Sequence, residues 1–333
     1  MSTIREVSRA AGVSISTVSR VLNRSGPVSK RAQERVLAAV AQLGYYPNSF
    51  ARGLVTKRSG GIGATVTDLS DPFFGLMLKG IEDRVERGGM HLIVTDGHGQ
   101  VHAERESIAF LTRHNADAII AYLQQVPDEE ILQWARPERP LIVVARKVPG
   151  IGARCLYIDN ERGGSVATRY LLSMGHRDVA HISGPMALVD GRDRFLGYRA
   201  SLERAGATFR PELAVEADFT PEGGAAAMAR LLDRSAAFTA VFAGNDQMAA
   251  GAMDVLRTRG LNVPNDVSVV GFDDLPMVRY LYAPLTTVRQ PIQEMGRAAA
   301  DLALAALRGE EGEVSRGFEP ELVVRHSVKR MTS

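Results

Sequence analysis

The sequence has almost no cysteine, and it lacks a signal-peptide pattern and long apolar runs. Of its 333 residues one is a cysteine, Cys155, which excludes a disulfide framework and a zinc site built from cysteines. The first 25 residues are polar and lack the apolar core of a signal peptide. No apolar run reaches the roughly 18 residues that a membrane-spanning helix needs. We therefore expect a cytoplasmic protein with no membrane partner.

Motifs for nucleotide binding, metal binding and catalysis are also missing. Gly61 and Gly63 form a G-x-G without the third glycine of the dinucleotide fingerprint, and no G-x-x-x-x-G-K-[ST] loop occurs. Four histidines between residues 91 and 114 match no zinc spacing. Ser183-Gly184 lacks the flanking glycine of a nucleophile elbow. We predict no enzymatic activity, no cofactor and no bound metal.

Charge is distributed unevenly along the chain. Residues 1–58 contain ten Lys or Arg and two acids, Glu6 and Glu34, which gives +8. Because the whole chain carries +2, the remainder carries −6. A small basic module at one end is typical of a segment that contacts nucleic-acid phosphates.

Residues 10–23, AAGVSISTVSRVLN, predict a helix-turn-helix. Gly12 can adopt the positive φ of a sharp turn, and Ser14 can cap a second helix that runs to about Asn23. One side of that helix carries short or polar side chains and one arginine, namely Ile15, Ser16, Arg20 and Asn23. Such side chains suit base edges in the major groove, which makes this the predicted reading helix. An ordinary helical hairpin is the alternative.

The basic module continues through a third helix into a linker. Apolar residues at helical spacing predict a helix from Ser29 to Leu43, and Gly44 ends it. We place the DNA-binding domain at residues 1–46 and a hinge helix and linker at 47–60. The segment from Pro47 to Leu54 is too short to be helical in isolation, so we expect a helix only where something supports it. An inert linker is the alternative.

From Gly61 onward, short β-branched runs alternate with helical stretches in two successive rounds. This pattern predicts an α/β core of two doubly wound parallel sheets at residues 61–330. Subdomain 1 would comprise about 61–159 and 289–319, and subdomain 2 about 160–288 and 320–330. We predict helices at 193–205 and 296–307 and one late strand in GFEPELVVRH.

Polar and aromatic side chains at the predicted strand and helix ends indicate a small-molecule site between the subdomains. Parallel strands present their carboxyl ends at one edge, where ligands usually bind. Carboxylate, guanidinium, amide and aromatic groups together suit a polyhydroxylated ligand. These residues are Arg146, Asn245, Asp246, Asp273 and Asp274 at strand ends, and Phe73, Phe74 and Arg194 at helix starts. For any single residue, a solvated strand end is the alternative.

Several long stretches resemble one known family, the lac repressor family of bacterial transcription regulators. TIREVSRAAGVSISTVSRVLN is similar to its helix-turn-helix and GYYPNSFARGL to its hinge helix. SDPFF, GHRDVAHISGP, NDQMAAGAM, DVSVVGFDD and PLTTVRQP are similar to its ligand-binding core. The resemblance implies a periplasmic-binding-protein-like core behind an N-terminal three-helix helix-turn-helix domain.

The resemblance also implies roles for single residues. Ile15, Ser16 and Arg20 would read bases, and Thr17 and Asn23 would contact phosphate or base nearby. Leu54 would insert into the minor groove as a wedge. Thr3, Ser14 and Arg52 complete the candidate DNA contacts. The candidate effector contacts are Phe73, Phe74, Arg146, Arg194, Phe219, Asn245, Asp273 and Gln290.

The resulting hypothesis is a repressor of sugar-catabolism genes that a small sugar releases from double-stranded operator DNA. Chains of the family often end in a heptad helix that makes tetramers, and the five residues after the last predicted strand leave no room for one. The resemblance therefore implies a homodimer on a pseudo-palindromic site. A galactose-like hexose is the first expectation for the effector, although Arg146 and Arg194 would also suit a sugar acid or phosphate. The sequence leaves open whether the ligand instead strengthens DNA binding. The alternative function is a soluble sugar-binding protein or an enzyme on the same scaffold.

Overall fold

The computed structural model describes residues 2–23, 26–45, 59–234, 236–310 and 316–331, with the backbone alone at Asn23 and Arg316. The chain divides into two compact units, Met1–Gly60 and Gly61–Ser333. The predicted hinge helix lies outside the described residues, and so do Arg52 and Leu54. The finer domain boundaries stay predictions.

The described part of the first unit contains three helices, α1 (Ile4–Ala11), α2 (Ile15–Asn23) and α3 (Lys30–Leu43). Thr3 and Glu6 form the capping box that begins α1, and Gly12 ends it at φ 59°. The three helices share a hydrophobic core, to which each contributes a fully buried valine, namely Val7, Val18 and Val36. The turn between α1 and α2 therefore has the predicted chemistry.

The second unit alternates strands and helices. The first round comprises β1 (Gly61–Val66), α4 (Pro72–Arg87), β2 (His91–Asp96), α5 (Val101–Arg113), β3 (Ala118–Tyr122), α6 (Asp128–Trp134), β4 (Leu141–Val144) and β5 (Cys155–Ile158). The second comprises α7 (Asn160–Ser173), β6 (Val179–Ser183), α8 (Val189–Arg204), β7 (Ala214–Glu216), α9 (Pro221–Asp233), β8 (Ala240–Ala243), α10 (Asp246–Thr258), β9 (Ser268–Asp273) and β10 (Thr286–Arg289). The last elements are α11 (Ile292–Leu307), β11 (Arg316–Phe318) and β12 (Glu321–Val323).

These strands form two six-stranded sheets, in the orders β11-β5-β4-β3-β1-β2 and β12-β10-β9-β8-β6-β7. All pairings are parallel except that of β10 with β12. Central strands such as β3 and β8 are buried along their whole length, as expected where helices cover both faces. The α/β fold with two doubly wound sheets is confirmed.

The C-terminal elements connect the two sheets. The helix α11 packs so closely along α4 that a Cβ atom on Gly80 would lie 2.1 Å from the carbonyl oxygen of Gln293. The chain passes from the first sheet to the second after β5, returns after β10, and passes again between β11 and β12. A cleft between the sheets is therefore bordered by several chain crossings.

Three predicted elements differ in the structure. The helix predicted at 193–205 begins earlier, at Val189, and the one predicted at 296–307 begins at Ile292. The single late strand is two short strands, one in each sheet, because the chain changes sheets between Phe318 and Glu321. No helix in the described part of the chain is long and apolar enough to cross a bilayer.

Candidate functional site

The outer side of α2 forms one candidate site. Val18 of this helix is fully buried, whereas Ile15 is 45% exposed and Ser16 and Arg20 are also exposed. The three residues predicted to read bases therefore share an open face of one short helix. The side chain of Asn23 lies outside the described residues.

Hydroxyl groups at the start of α2 are linked to one another. The Ser14 Oγ accepts the backbone N–H of Thr17 and lies 2.8 Å from the hydroxyls of Ser16 and Thr17. The Thr3 hydroxyl is engaged with Glu6 in the cap of α1. Thr3 and Ser14 thus act as helix caps here, and a DNA contact by either stays a prediction.

The second candidate site is a cavity of about 470 Å³ at the carboxyl ends of strands from both sheets. This volume lies in the usual range for small-molecule sites. Six of the eight predicted effector residues line it, namely Phe73, Phe74, Arg194, Phe219, Asn245 and Asp273. Five further carboxylates border it, namely Asp68, Asp71, Asp190, Asp218 and Glu222.

Arg194 is the buried cation of the cavity wall. Its Nε donates to the Asn160 Oδ1 at 2.9 Å, and its Nη1 donates to the carbonyl of Gly244 at 2.6 Å. The same Nη1 lies 3.8 Å from the Asp273 carboxylate, and the guanidinium lies 3.8 Å from the centre of the Phe272 ring. Because one face, Nε and Nη1 of the guanidinium are engaged by the protein, the orientation of Arg194 is set by the cavity wall itself.

Asp190 connects the two subdomains across the cavity. Its Oδ2 accepts the Tyr122 hydroxyl at 2.6 Å and the Gln124 amide at 3.0 Å, both from the side of the first sheet. Its Oδ1 accepts the amide of Asn160 at 2.8 Å. Three donors thus hold a buried carboxylate, and burial together with Asp190 raises the pKa of Tyr122 well above its ordinary value.

Asp273 lies beside Arg194 and is held from behind by Gln290. The Gln290 Nε2 donates to the Asp273 Oδ1 at 2.6 Å, and Gln290 is not part of the cavity wall. Burial raises the pKa of Asp273 to about 7, although Arg194 and Gln290 both favour its charged form. Gln290 is placed to orient Asp273 rather than to contact a ligand.

Stability is expected to fall between about pH 4 and pH 7 because of Asp273. The folded state retains a proton that the unfolded chain, with a carboxyl pKa of 3.8, has lost in this range. Folding is therefore favoured at low pH, and this contribution disappears as pH rises through the folded pKa. In the wild type, this carboxyl should make the free energy of unfolding about 1–3 kcal/mol larger at pH 5 than at pH 7.5. Urea unfolding of Asp273→Asn at the same two pH values should lack this difference. Equal pH dependence in both proteins would contradict this assignment.

Aromatic rings form the apolar part of the wall. The rings of Phe73, Phe74 and Tyr122 meet edge to face, with centroids 4.9–6.0 Å apart. Phe219, at φ 69°, lies so close to Gly184 that a Cβ atom there would be 2.0 Å from the ring. Asn245 fixes this turn, since its Nδ2 donates to the Phe219 carbonyl at 2.9 Å. Aromatic surface beside carboxylates suits the C–H faces and hydroxyls of a sugar.

The structure places Arg146 outside the cavity wall, so a contact between Arg146 and an effector stays a prediction. Its guanidinium turns behind the loop after β3 and donates to the carbonyls of Gln124 and Val126 and to the Asp128 carboxylate. The preceding Ala145 adopts φ 84°, so the chain leaves the direction of β4 just before Arg146. Arg146 therefore braces a loop.

Strand-end acids divide into cavity and support residues. Asn245 and Asp273 line the cavity, whereas their neighbours Asp246 and Asp274 do not. Asp246 accepts the Leu275 N–H at 2.7 Å, and burial raises its pKa well above the ordinary value. Asp274 pairs with Arg289 and Arg325. No group of three or more potential metal ligands occurs in the ranges that the structure describes.

Sequence reasoning missed Tyr122, Gln124, Asn160 and Asp190. Tyr122 ends the strand DAIIAY, so the strand-end argument used for Asp273 could have found it. Asp190 was missed because the helix that carries it was predicted to begin at residue 193. Gln124 lies two residues after the end of β3, and Asn160 begins α7. Neither position has a distinctive signal in the sequence.

Both candidate sites lie in regions that are similar to known families and proteins. Residues 3–48 match the family of bacterial regulatory proteins named lacI, and residues 168–328 match a periplasmic binding protein-like domain. The transcriptional regulator GalR of Escherichia coli K12 is 38% identical over 329 residues, covering 98% of this chain and 96% of GalR. CelR of Thermobifida fusca is 36% identical, with 98% of each chain covered.

Solved structures give the same result. The lac repressor dimer bound to operator and the anti-inducer ONPF has a TM-score of 0.88 and 27% identity, covering 98% of this chain and 99% of the other. A complex of the regulator CelR with cellobiose has a TM-score of 0.73 and 34% identity, covering 98% of this chain and all of the other. Similarity extends over both candidate sites.

Proposed function

Because the chain belongs to the lacI family of bacterial regulatory proteins, we propose that it is a repressor released from a palindromic operator by an uncharged sugar. Its relatives are transcriptional regulators rather than enzymes, and it is itself a DNA-binding regulator. The observation that carries the proposal is that one chain joins a basic module with an exposed reading helix to a cavity lined by carboxylates, amides and aromatic rings. We place its action in the cytoplasm.

The cavity favours a neutral effector over an acid or a phosphate. Arg146 is engaged behind the loop, and Arg194 already lies against Asp273, so neither offers an unopposed charge. The other charged groups on the wall are largely carboxylates, which repel an anion. This argument narrows the choice that the sequence left open, and a galactose-like hexose stays the first candidate.

Release of operator by sugar is the experiment that tests the function. A duplex is first selected from random DNA with the full-length protein, and its retention is then titrated with D-galactose, D-galacturonate and D-galactose 6-phosphate. We expect D-galactose to weaken DNA binding, with a coupling of about 1–3 kcal/mol, and the two anions to have little effect. Selection of no preferred sequence, or release by an anion alone, would contradict the proposal.

Arg20→Ala is expected to cost about 1–3 kcal/mol of operator affinity and to relax selection at one base position. The reason is that an exposed arginine on the reading helix can donate two hydrogen bonds to a guanine. Binding to selected and random duplexes should be measured at one salt concentration, because phosphate contacts depend strongly on salt. An equal loss on both duplexes would show that Arg20 contacts the DNA backbone alone. Arg52 and Leu54 stay proposed contacts.

We also propose a homodimer, whose two reading helices would bind the two halves of the operator. The lac repressor in the similar structure is a dimer. In this chain, one short segment after β9 exposes three large apolar side chains, Met277, Tyr280 and Tyr282, which are 39%, 87% and 52% exposed. Clustered exposed apolar side chains of this kind mark protein interfaces. This surface, called here the tyrosine patch, would meet its copy in the partner.

A further inference from the structure

Gln124 has an unsatisfied hydrogen-bonding group at the edge of the effector cavity. The residue lines the cavity and is 6% exposed, and its Oε1 has no hydrogen-bond partner among the described residues. A buried amide oxygen without a partner is costly, so such atoms normally meet a partner in the working state of a protein. The opposite end of the amide is engaged, since Nε2 donates to Asp190.

The orientation of this amide is determined by its neighbour. The Asp190 carboxylate also accepts hydrogen bonds from the Tyr122 hydroxyl and the Asn160 amide. A carboxylate accepts but does not donate, so the NH₂ of Gln124 must face Asp190 and Oε1 must face away from it. The unpaired group of this cavity-lining residue is therefore an acceptor, and a ligand hydroxyl is a suitable donor for it.

The backbone around Gln124 is held on both sides. Fully buried Glu104 accepts the N–H groups of Gln124, Gln125 and Val126 at 3.0–3.3 Å. From the other side, Arg146 donates to the carbonyls of Gln124 and Val126 at 3.2 and 2.6 Å. A loop held by a carboxylate on its donors and a guanidinium on its acceptors has little freedom to shift.

We infer that Gln124 is a specificity-determining residue, whose Oε1 accepts a hydrogen bond from one hydroxyl of the effector. Glu104 and Arg146 are its positioning residues. The inference rests on the proposed function, because it assumes that a sugar occupies this cavity. A site built to bond one hydroxyl discriminates against the analogue that lacks it, since the protein group is then left buried and unpaired.

The experiment compares discrimination between a hexose and its deoxy analogues. D-Galactose, D-glucose, D-ribose and cellobiose are first ranked by calorimetry on the full-length protein, and monodeoxy analogues of the tightest binder follow. In the wild type, loss of one particular hydroxyl should weaken binding about tenfold. The parent sugar should bind Gln124→Met about tenfold more weakly than it binds the wild type. To this variant, the analogue that lacks the critical hydroxyl should bind as tightly as the parent sugar does. Arg146→Lys should reduce the same discrimination partially.

Two control variants separate a ligand contact from a structural effect. Gln133→Met makes the same change at an exposed residue outside the cavity wall and should leave the discrimination unchanged. Tyr122→Phe changes another residue of the cavity wall, removing its hydrogen bond to Asp190 but leaving Gln124 Oε1 in place. Any loss of affinity should therefore be equal for the parent sugar and the analogue, and the ratio of the two affinities should persist. Undiminished discrimination in Gln124→Met, or an equal loss of discrimination in Tyr122→Phe, would overturn the role of Gln124 alone. Failure of every sugar to bind the wild type would overturn the proposed effector itself.

Discussion

Arg194→Met is expected to weaken binding of the effector sugar at least about a hundredfold. Arg194 donates to Asn160 and Gly244 and lies beside Asp273, all in the buried wall of the cavity. Methionine fills similar space but leaves Asn160 and Gly244 without their donor and Asp273 without the neighbouring positive charge. Truncating one partner of a buried, hydrogen-bonded charge pair in a binding interface typically costs about 2–5 kcal/mol of binding free energy, and a hundredfold loss corresponds to about 2.7 kcal/mol.

The same substitution should change the titration of Asp273. Arg194 favours the charged form of that carboxyl, so its loss raises the pKa of Asp273 further above its present value of about 7. At neutral pH the variant then presents a protonated Asp273 to the ligand, whereas in the wild type this carboxyl is about half ionised. Calorimetry at pH 7 and pH 8.5 would separate this effect from the lost hydrogen bonds, because the higher pH restores part of the affinity only if titration contributes.

Arg192→Met is the matched control for both measurements. Arg192 lies two residues earlier on α8, is about half exposed and pairs with the adjacent Asp193. Exposed ion pairs contribute little, so we expect sugar affinity within about twofold of the wild type. Similar affinities for the two variants would show that Arg194 has no special part in the cavity, and thermal unfolding would identify a variant that fails for lack of folding.

Tyr280→Asp is expected to produce a monomer that binds operator at least about a hundredfold more weakly. Tyr280 is the most exposed member of the tyrosine patch, and two copies of a new carboxylate would face each other across a two-fold interface. A monomer holds one reading helix and loses the gain from binding two half-sites at once. Sedimentation of the free protein and mobility shift on the selected duplex measure the two effects separately.

Leu196→Asp provides the comparison for the tyrosine patch. Leu196 is 41% exposed on α8, so the change adds the same charge at another partly exposed apolar position. This variant should sediment like the wild type and bind operator with similar affinity. A dimer that persists in Tyr280→Asp at micromolar concentration would show that the interface lies elsewhere on the surface.

The sequence predicted the fold and the helix-turn-helix well because local chemistry determines both. Gly12, Ser14 and the capping box at Thr3 act through neighbours in the chain, and each forms the contact that its type and position suggested. The alternation of buried strands and helices likewise follows from which residues avoid water. Such features need no knowledge of distant parts of the chain.

The cavity was predicted less completely because its chemistry depends on contacts between distant residues. Asp190 receives donors from Tyr122 and Gln124, more than 60 residues away, and nothing in the local sequence reveals that meeting. Arg146 and Asp273 both follow buried strands, but a strand end does not determine the direction of the side chain. Arg146 turns behind a loop after Ala145, whereas Asp273 enters the cavity.

The placement of β11 and β12 has a consequence for how the core is completed during synthesis. Each sheet takes its outermost strand from residues 316–323, and β12 pairs with β10 while β11 pairs with β5. The nascent chain can assemble the interior of both sheets early, but the outer sides of β5 and β10 stay unpaired until residues 316–323 have been added. Because unpaired strands attract other strands, β5 and β10 can pair with foreign chains until β11 and β12 cover them.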